Sequence, residues 1–344
     1  MHPHLFTLFG QHFPSYFVLI AVGFGSAVWY VARLANQVGI HPNRVIDMGL
    51  WALLAGLLGA RGLHVLVEGH FWDYVHLCTA PLEVDIPQFI HVACQKDADC
   101  IVRQSGGLCH PETQRCHPAQ DCFAALKFWH GGLTFLGGVI AATLSSAWYL
   151  HRHRIPFLKM ADLGVLGVAI GSFFGRIGCF LGGCCFGTQT QSPLGIQFPG
   201  RSMPVETDGG CALGWQRLVG PDGPFCAVGR PAYLEQLEAG QLTIGAHLSQ
   251  PVWPSQLLAS ALALVIFIVL TLRRRRQRFE GQLFFEFLVL YGIGRIGLET
   301  IRGDGARGLW FLESVSTSQI IVAPIILWAA YRWWTGDQRP LERP

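Results

Sequence analysis

Seven apolar stretches, separated by arginine-rich or cysteine-rich connections, leave this chain little choice of fold. They run over residues 16–35, 45–67, 132–149, 161–181, 255–272, 282–301 and 320–334. A helix needs roughly 20 such residues to cross the hydrocarbon core of a bilayer. Lipid offers no partner to a backbone N–H or C=O, so spanning segments of this kind must satisfy themselves as helices. Only 14% of the residues are charged, against about a quarter in soluble domains. The pattern predicts an all-α polytopic membrane protein with about seven transmembrane helices.

The charges that remain report orientation. Arg273-Arg274-Arg275-Arg276 and Arg278 follow the fifth stretch, and the run reads as a stop-transfer signal. Arg152, Arg154 and Lys159 lie between the third and fourth, and Arg33 and Arg44 bracket the first connection. Basic connections stay in the cytoplasm. An odd number of spans then puts the N-terminus outside and the C-terminus inside, which Arg332 and Arg339 fit. Residues 1–11 contain no lysine or arginine, so the basic region of a cleavable signal peptide is missing and the first stretch is expected to remain as a span. A net charge of +3 is too small to argue for a nucleic-acid partner.

Two long connections, 68–127 and 188–254, are expected as extracytoplasmic insertions in a single membrane domain of residues 1–344. The first holds Cys78, Cys94, Cys100, Cys109, Cys116 and Cys122. Six cysteines in an oxidising compartment read as a disulfide framework with fifteen possible pairings. The spacings Cys94-x5-Cys100 and Cys109-x6-Cys116 are wider than the tight pairs of structural zinc sites, and neither metal nor cofactor is expected. Cys211 and Cys226 make a fourth pair in the second insertion. Cys179, Cys184 and Cys185 are left over. A strained vicinal bond, a bridge from Cys179 and free thiols are all open readings.

Chemistry concentrates in a few motifs. Gly175-Arg176-Ile177-Gly178-Cys179-Phe180-Leu181-Gly182-Gly183-Cys184-Cys185-Phe186-Gly187 closes the fourth stretch. An arginine at the centre of a bilayer helix costs about 2.5–3.5 kcal/mol on insertion scales, so arginine at such depth faces an anion or a wet cavity. Arg61, Arg295 and Arg302 also sit within or at the ends of apolar stretches, each with glycine nearby. A guanidinium fork matches phosphate oxygens, and bare glycines let a ligand or a second helix approach. The pattern suggests a phospholipid headgroup held within the bundle. Glu299, four residues after Arg295, is expected to pair with it along the helix. His130, before the glycine pairs Gly131-Gly132 and Gly137-Gly138, is a candidate proton acceptor. Pro254-Ser255-Gln256 reads either as a helix cap or as part of the same external site.

These motifs resemble the bacterial prolipoprotein diacylglyceryl transferases. The family's Gly-Arg-x-Gly-Asn-Phe-x-Asn-Gly-Glu segment is similar to residues 175–187, and its Gly-Gly-x-Ser-Phe-His-Gly-Gly segment to 131–138. Its His-Pro-Ser-Gln-x-Tyr-Glu segment is similar to 253–259, and its Tyr-Gly-x-x-Arg-x-x-x-Glu-x-x-Arg segment to 291–302. Gly59-Ala60-Arg61 resembles the arginine motif of its second span. The resemblance implies transfer of a diacylglyceryl group from phosphatidylglycerol to the lipobox cysteine of prolipoproteins, with prolipoprotein signal peptides as partners and the bacterial inner membrane as location. It implies Arg176 and Arg295 as catalytic residues on the phosphate side, with Arg61, Arg302, Glu299, Gly137, Gly138, Ser255 and Gln256 binding the lipid. Here Leu136 stands where the family has histidine, Cys179 and Cys184 where it has Asn and Glu, and Trp253, Leu258 and Ala259 where it has His, Tyr and Glu. The other readings are a paralogue that binds phospholipid or lipoprotein without transfer, and a membrane thiol–disulfide oxidoreductase using the three cysteines.

Overall fold

The structure, a computed structural model, describes residues 4–8, 11–67, 71–84, 94–102, 107–114, 116–127, 132–204, 215–220, 223–303, 309–310 and 315–336. A ribbon of β1 (His4–Leu8) and β2 (Gln11–Pro14) leads into α1 (Ser15–Asn36), which turns back into α2 (Pro42–Val67). The first insertion follows, with α3 (Phe71–Thr79), α4 (Asp97–Val102) and the paired strands β3 (Leu108–Cys109) and β4 (Cys116–His117). A second hairpin joins α5 (Phe135–Arg152) to α6 (Phe157–Gly182). The second insertion is an antiparallel sheet with strand order β5 (Gly200–Pro204), β7 (Gly223–Gly229), β6 (Gln216–Gly220), covered by α7 (Pro231–Glu238). Helices α8 (Ser255–Arg274), α9 (Gln282–Glu299) and α10 (Thr317–Thr335) complete the bundle.

Four helices among the described residues, α1, α2, α6 and α8, are long and apolar enough to cross a membrane. The sequence pattern predicts three more. Those stretches do form helices, α5, α9 and α10, but they are 18, 18 and 19 residues long. Polar residues dilute them: His151 and Arg152 in α5, Glu286, Arg295 and Glu299 in α9, Arg332 in α10. The outward faces are apolar. Leu50, Leu54 and Leu58 repeat every four residues along α2 and are 50, 56 and 70% exposed. In water such a stripe would forfeit roughly 25 cal/mol per Å². Against lipid it forfeits nothing.

The two ends of the bundle are built differently. At one end, the core of Val31, Leu34, Leu150, Leu163, Leu166, Ile266, Leu270 and Leu283 is closed by Asp162 of α6. Its carboxylate accepts from the backbone N–H of Gly281 at 2.6 Å, from that of Phe284 at 2.9 Å and from Gln277 Nε2 at 2.5 Å. It thereby satisfies N–H groups at the start of α9, whose own cap residue, Gly281, has no side chain to do so. Basic residues of the short helix connections lie at this end: Arg44 bonds His153 at 3.0 Å and Arg274 donates to Gln37 at 3.0 Å. The other end carries the two insertions. Disulfides join Cys78 to Cys122, Cys94 to Cys109 and Cys100 to Cys116, so the expected framework forms with one pairing out of fifteen. Cys226 is also disulfide-bonded, and Cys211, its expected partner, lies outside the described residues.

Helices α2 and α5 pack closely because glycines face each other. A Cβ on Gly59 would stand 2.6 Å from the Gly137 carbonyl oxygen and would collide with Ala141. On Gly62 it would meet nothing within 4 Å. Gly59→Ala should therefore force the two helices apart and destabilise the protein by about 1–3 kcal/mol, while Gly62→Ala is tolerated. Thermal unfolding in detergent of the two variants checks this, with a lower midpoint expected for Gly59→Ala alone.

Candidate active site

The residues 175–187 end one helix and set up a turn. Helix α6 stops at Gly182 because Gly183 takes a left-handed conformation, φ +81°, and returns its N–H to the carbonyls of Cys179 at 2.8 Å and Phe180 at 3.2 Å. Cys185 is also left-handed, at φ +57°, which costs a residue with a Cβ about 1–2 kcal/mol. Two side chains from α8 hold this turn. Ser255 Oγ donates to the Cys185 carbonyl and Gln256 Nε2 to the Cys184 carbonyl, both at 2.7 Å. Gln256 is fully buried. Helix α8 does begin at Ser255, but no side chain caps it. The polar groups of this motif serve the neighbouring helix instead.

Beyond the turn, three backbone segments interlock. Gly187 N–H donates to Trp253 O at 2.9 Å, and Trp253 N–H to Thr188 O at 3.0 Å. On the other side Thr188 N–H donates to Ile301 O at 2.8 Å and Gly303 N–H to Phe186 O at 3.2 Å. Residues 186–188 thus lie between the start of α8 and the end of α9. A Cβ on Gly187 would sit 2.7 Å from the Ile301 carbonyl oxygen, so only glycine admits this approach.

The interlock brings the arginines together. Arg295 Nη2 lies 2.7 Å from Glu299 Oε2, the expected in-helix pair, with the glutamate side chain 4% exposed. Arg295 is within electrostatic range of both Arg302 and Arg176. Arg176 and Arg302 act in turn on Cys185, and Tyr16, at the start of α1, faces the three cysteines and Arg176. The Sγ atoms of Cys179, Cys184 and Cys185 all lie within 4.8 Å of one another, half-buried and unbonded. The sequence leaves their pairing open, and nothing in it says that the turn would gather all three.

Other expected site residues stand elsewhere. Arg61, 7% exposed, spends its fork on backbone. Nε donates to Ala125 O at 2.8 Å, Nη1 to Gly132 O at 3.0 Å and Nη2 to Ala124 O at 2.7 Å, with its carbon 5.0 Å above the Tyr74 ring. It pins the end of the first insertion to α2. Gly137 is buried against Gly59, and Gly138 turns toward Gly56, so both serve the α2–α5 contact. His130 lies outside the described residues.

Two cavities lie in this part of the molecule and within the bundle. An apolar one of about 550 Å³ lies between the α1–α6 and α2–α5 pairs, lined by Phe24, Val28, Met48, Gly164, Val168 and Gly171. It reaches within five residues of Arg176 along α6. A polar one of about 490 Å³ opens beside the interlock, lined by Gly187, Thr188, Gln189, Gln236, Gln241 and Gly303.

A bundle with apolar outer faces and several guanidinium groups drawn to one end defines the class, a helical membrane protein with a cationic site. Residues 3–90 and 116–335 match the model of the family described as prolipoprotein diacylglyceryl transferase, and the chain belongs to that family of transferases. The unmatched stretch falls in the first insertion. Proteins named phosphatidylglycerol–prolipoprotein diacylglyceryl transferase are similar along most of the chain. One from Clostridium tetani is 26% identical over 321 residues, 93% of this chain and 92% of its own length. One from Xylella fastidiosa is 30% identical over 226 residues, 65% of this chain and 70% of its own. One from Aeromonas hydrophila is 26% identical over 329 residues, 94% of this chain and 86% of its own.

Arg61→Lys keeps the charge and loses the fork. A single ammonium cannot reach all three carbonyls that the fork's three nitrogens serve, so at least one loses its charge-assisted partner and the protein should be destabilised by about 2 kcal/mol. Thermal unfolding and limited proteolysis of the first insertion check this, with earlier cleavage expected in the variant.

Proposed function

We propose that this protein transfers the diacylglyceryl group of phosphatidylglycerol to the lipobox cysteine thiol of prolipoproteins and releases glycerol phosphate. The observation that carries the reading is the convergence of Arg176, Arg295 and Arg302 beside the interlock of residues 186–188. The names of its relatives supply the substrates. In the reaction a thiolate attacks the diacylglyceryl methylene and the phosphate oxygen takes the electron pair. Charge grows on the leaving phosphate, and fixed guanidinium donors at a membrane edge stabilise growing charge far better than water does. Arg176 and Arg295 take the phosphate, Arg302 supports them, and Glu299 holds Arg295 in place. The apolar cavity suits acyl chains, having the size and lining of a ligand pocket. Ser255 and Gln256 act through the turn they hold. Arg61, Gly137 and Gly138 are left out of the lipid set, since their groups are taken up by packing and backbone.

We further propose a multi-pass protein of the bacterial inner membrane, with α5, α9 and α10 as spans beside the other four. The N-terminus and both insertions lie outside and the C-terminus inside. Basic side chains of the short helix connections, Arg44 and Arg274 among them, lie at one end of the bundle and the disulfides at the other, which supports this orientation.

Arg176→Ala should lower transfer from labelled phosphatidylglycerol vesicles to a lipobox peptide by about 10²- to 10³-fold, with the elution profile in detergent unchanged. Transfer at the rate of the unaltered protein would sink the phosphate role.

A further inference from the structure

Among the described residues, every cysteine outside 179–185 is in a disulfide. Arg230, at the edge of the sheet that carries Cys226, donates to the Gly182 carbonyl at 3.4 Å, so the bonded cysteines and the free ones share one end of the bundle. Cys179, Cys184 and Cys185 form no disulfide there although their sulfurs lie within 4.8 Å of one another. That spacing is close to what a metal ion asks. A zinc–sulfur bond of about 2.3 Å puts the sulfurs of a tetrahedral site about 3.8 Å apart. Small side-chain rotations close the difference.

The backbone under the sulfurs is already fixed by the left-handed Gly183 and Cys185 and by the hydrogen bonds from Ser255 and Gln256. Gln256 Oε1, on the amide that holds Cys184, is buried and has no hydrogen-bond partner among the described residues. Arg176 and Arg302 beside Cys185 offset the negative charge that three thiolates carry to a divalent ion. All three cysteines are half-buried, so the cluster keeps an open side. Three sulfur ligands with a fourth position open is the arrangement of a reactive zinc site rather than a closed structural one.

We propose that Cys179, Cys184 and Cys185 bind one zinc ion, whose open position takes the sulfur of the acceptor cysteine as a thiolate. This replaces the sequence expectation of a metal-free site, and its acceptor role rests on the transferase reading above. A thiol coordinated to zinc gives up its proton, which leaves to water. The bound sulfur then forms its bond to the diacylglyceryl methylene as the carbon–oxygen bond to phosphate breaks. Glycerol phosphate leaves with the electron pair, and the neutral thioether dissociates from the metal. Arg176 and Arg302 stand beside Cys185, and Arg295 interacts with both of them, so attacking sulfur and departing phosphate meet in one place. Leu136 at the family's histidine position then costs nothing, because no side chain needs to take the proton.

Elemental analysis of the full chain in detergent, purified without added chelator, should find about one zinc per chain. Cobalt(II) exchanged for it should give thiolate-to-metal absorption, and a lipobox peptide should change that spectrum while its Cys→Ser version does not. The combined variant Cys179→Ser, Cys184→Ser, Cys185→Ser should lose the metal and the absorption. Chelation should lower transfer by about 10²-fold or more, and zinc should restore it. A metal-free protein that transfers lipid overturns the proposal and leaves the transferase reading standing. A cobalt spectrum unmoved by the peptide overturns the acceptor role. If both metal readouts hold and no lipid is transferred, the transferase reading fails and the zinc–thiol site stands. The metal measurements use the unaltered protein, so the folding of a variant does not decide them.

Discussion

The short backbone interlock around Gly187 is the contact on which the rest of the site depends. Arg176 on α6, Ser255 at the start of α8 and Arg302 just beyond α9 lie far apart in sequence. What places them side by side is a set of main-chain hydrogen bonds joining 186–188 to 253 and to 301–303. Such bonds carry no charge and reach no ligand. They set helix ends in register, and the side chains follow. The absence of a Cβ at Gly187 makes the approach possible, because the Ile301 carbonyl oxygen occupies the space a side chain would need. The arrangement of the candidate site is thus set by main-chain contacts and by one missing side chain.

Much of the fold was legible in sequence, because lipid and water impose simple demands. Apolar runs became helices, and six cysteines of the first insertion paired. Arg295 and Glu299 paired as their four-residue spacing requires. What sequence could not supply was long-range direction. Arg61 has the same composition of neighbours as Arg176, a guanidinium among glycines. Its partners are the carbonyls of Ala124, Ala125 and Gly132, more than sixty residues away. The glycines at 137 and 138 looked like bared backbone for a ligand, and another helix covers them. Nothing in a local pattern separates a glycine that admits lipid from one that admits a helix.

The Pro254-Ser255-Gln256 motif teaches a related point. Serine and glutamine at a helix start are good cap residues, and the helix does start there. Their side chains instead buttress a strained turn just after α6, where Cys185 holds a conformation that disfavours a side chain. Strain at such a position persists only where the surroundings hold it. Here two neutral hydrogen bonds from one neighbouring helix do so.

The apolar cavity between the two helix pairs has a kinetic meaning. α1 packs along α6 and α2 along α5, while α5 and α6 meet only weakly. The space between them is a slot lined by residues of all four of these helices. With lipid tails in that slot, the bilayer itself becomes the reservoir. On the proposed function, a lipid substrate reaches the slot by sliding within a two-dimensional fluid, and its tails never pass through water. Encounter frequency then scales with the surface fraction of the anionic lipid, and membrane composition sets the pace of the first step.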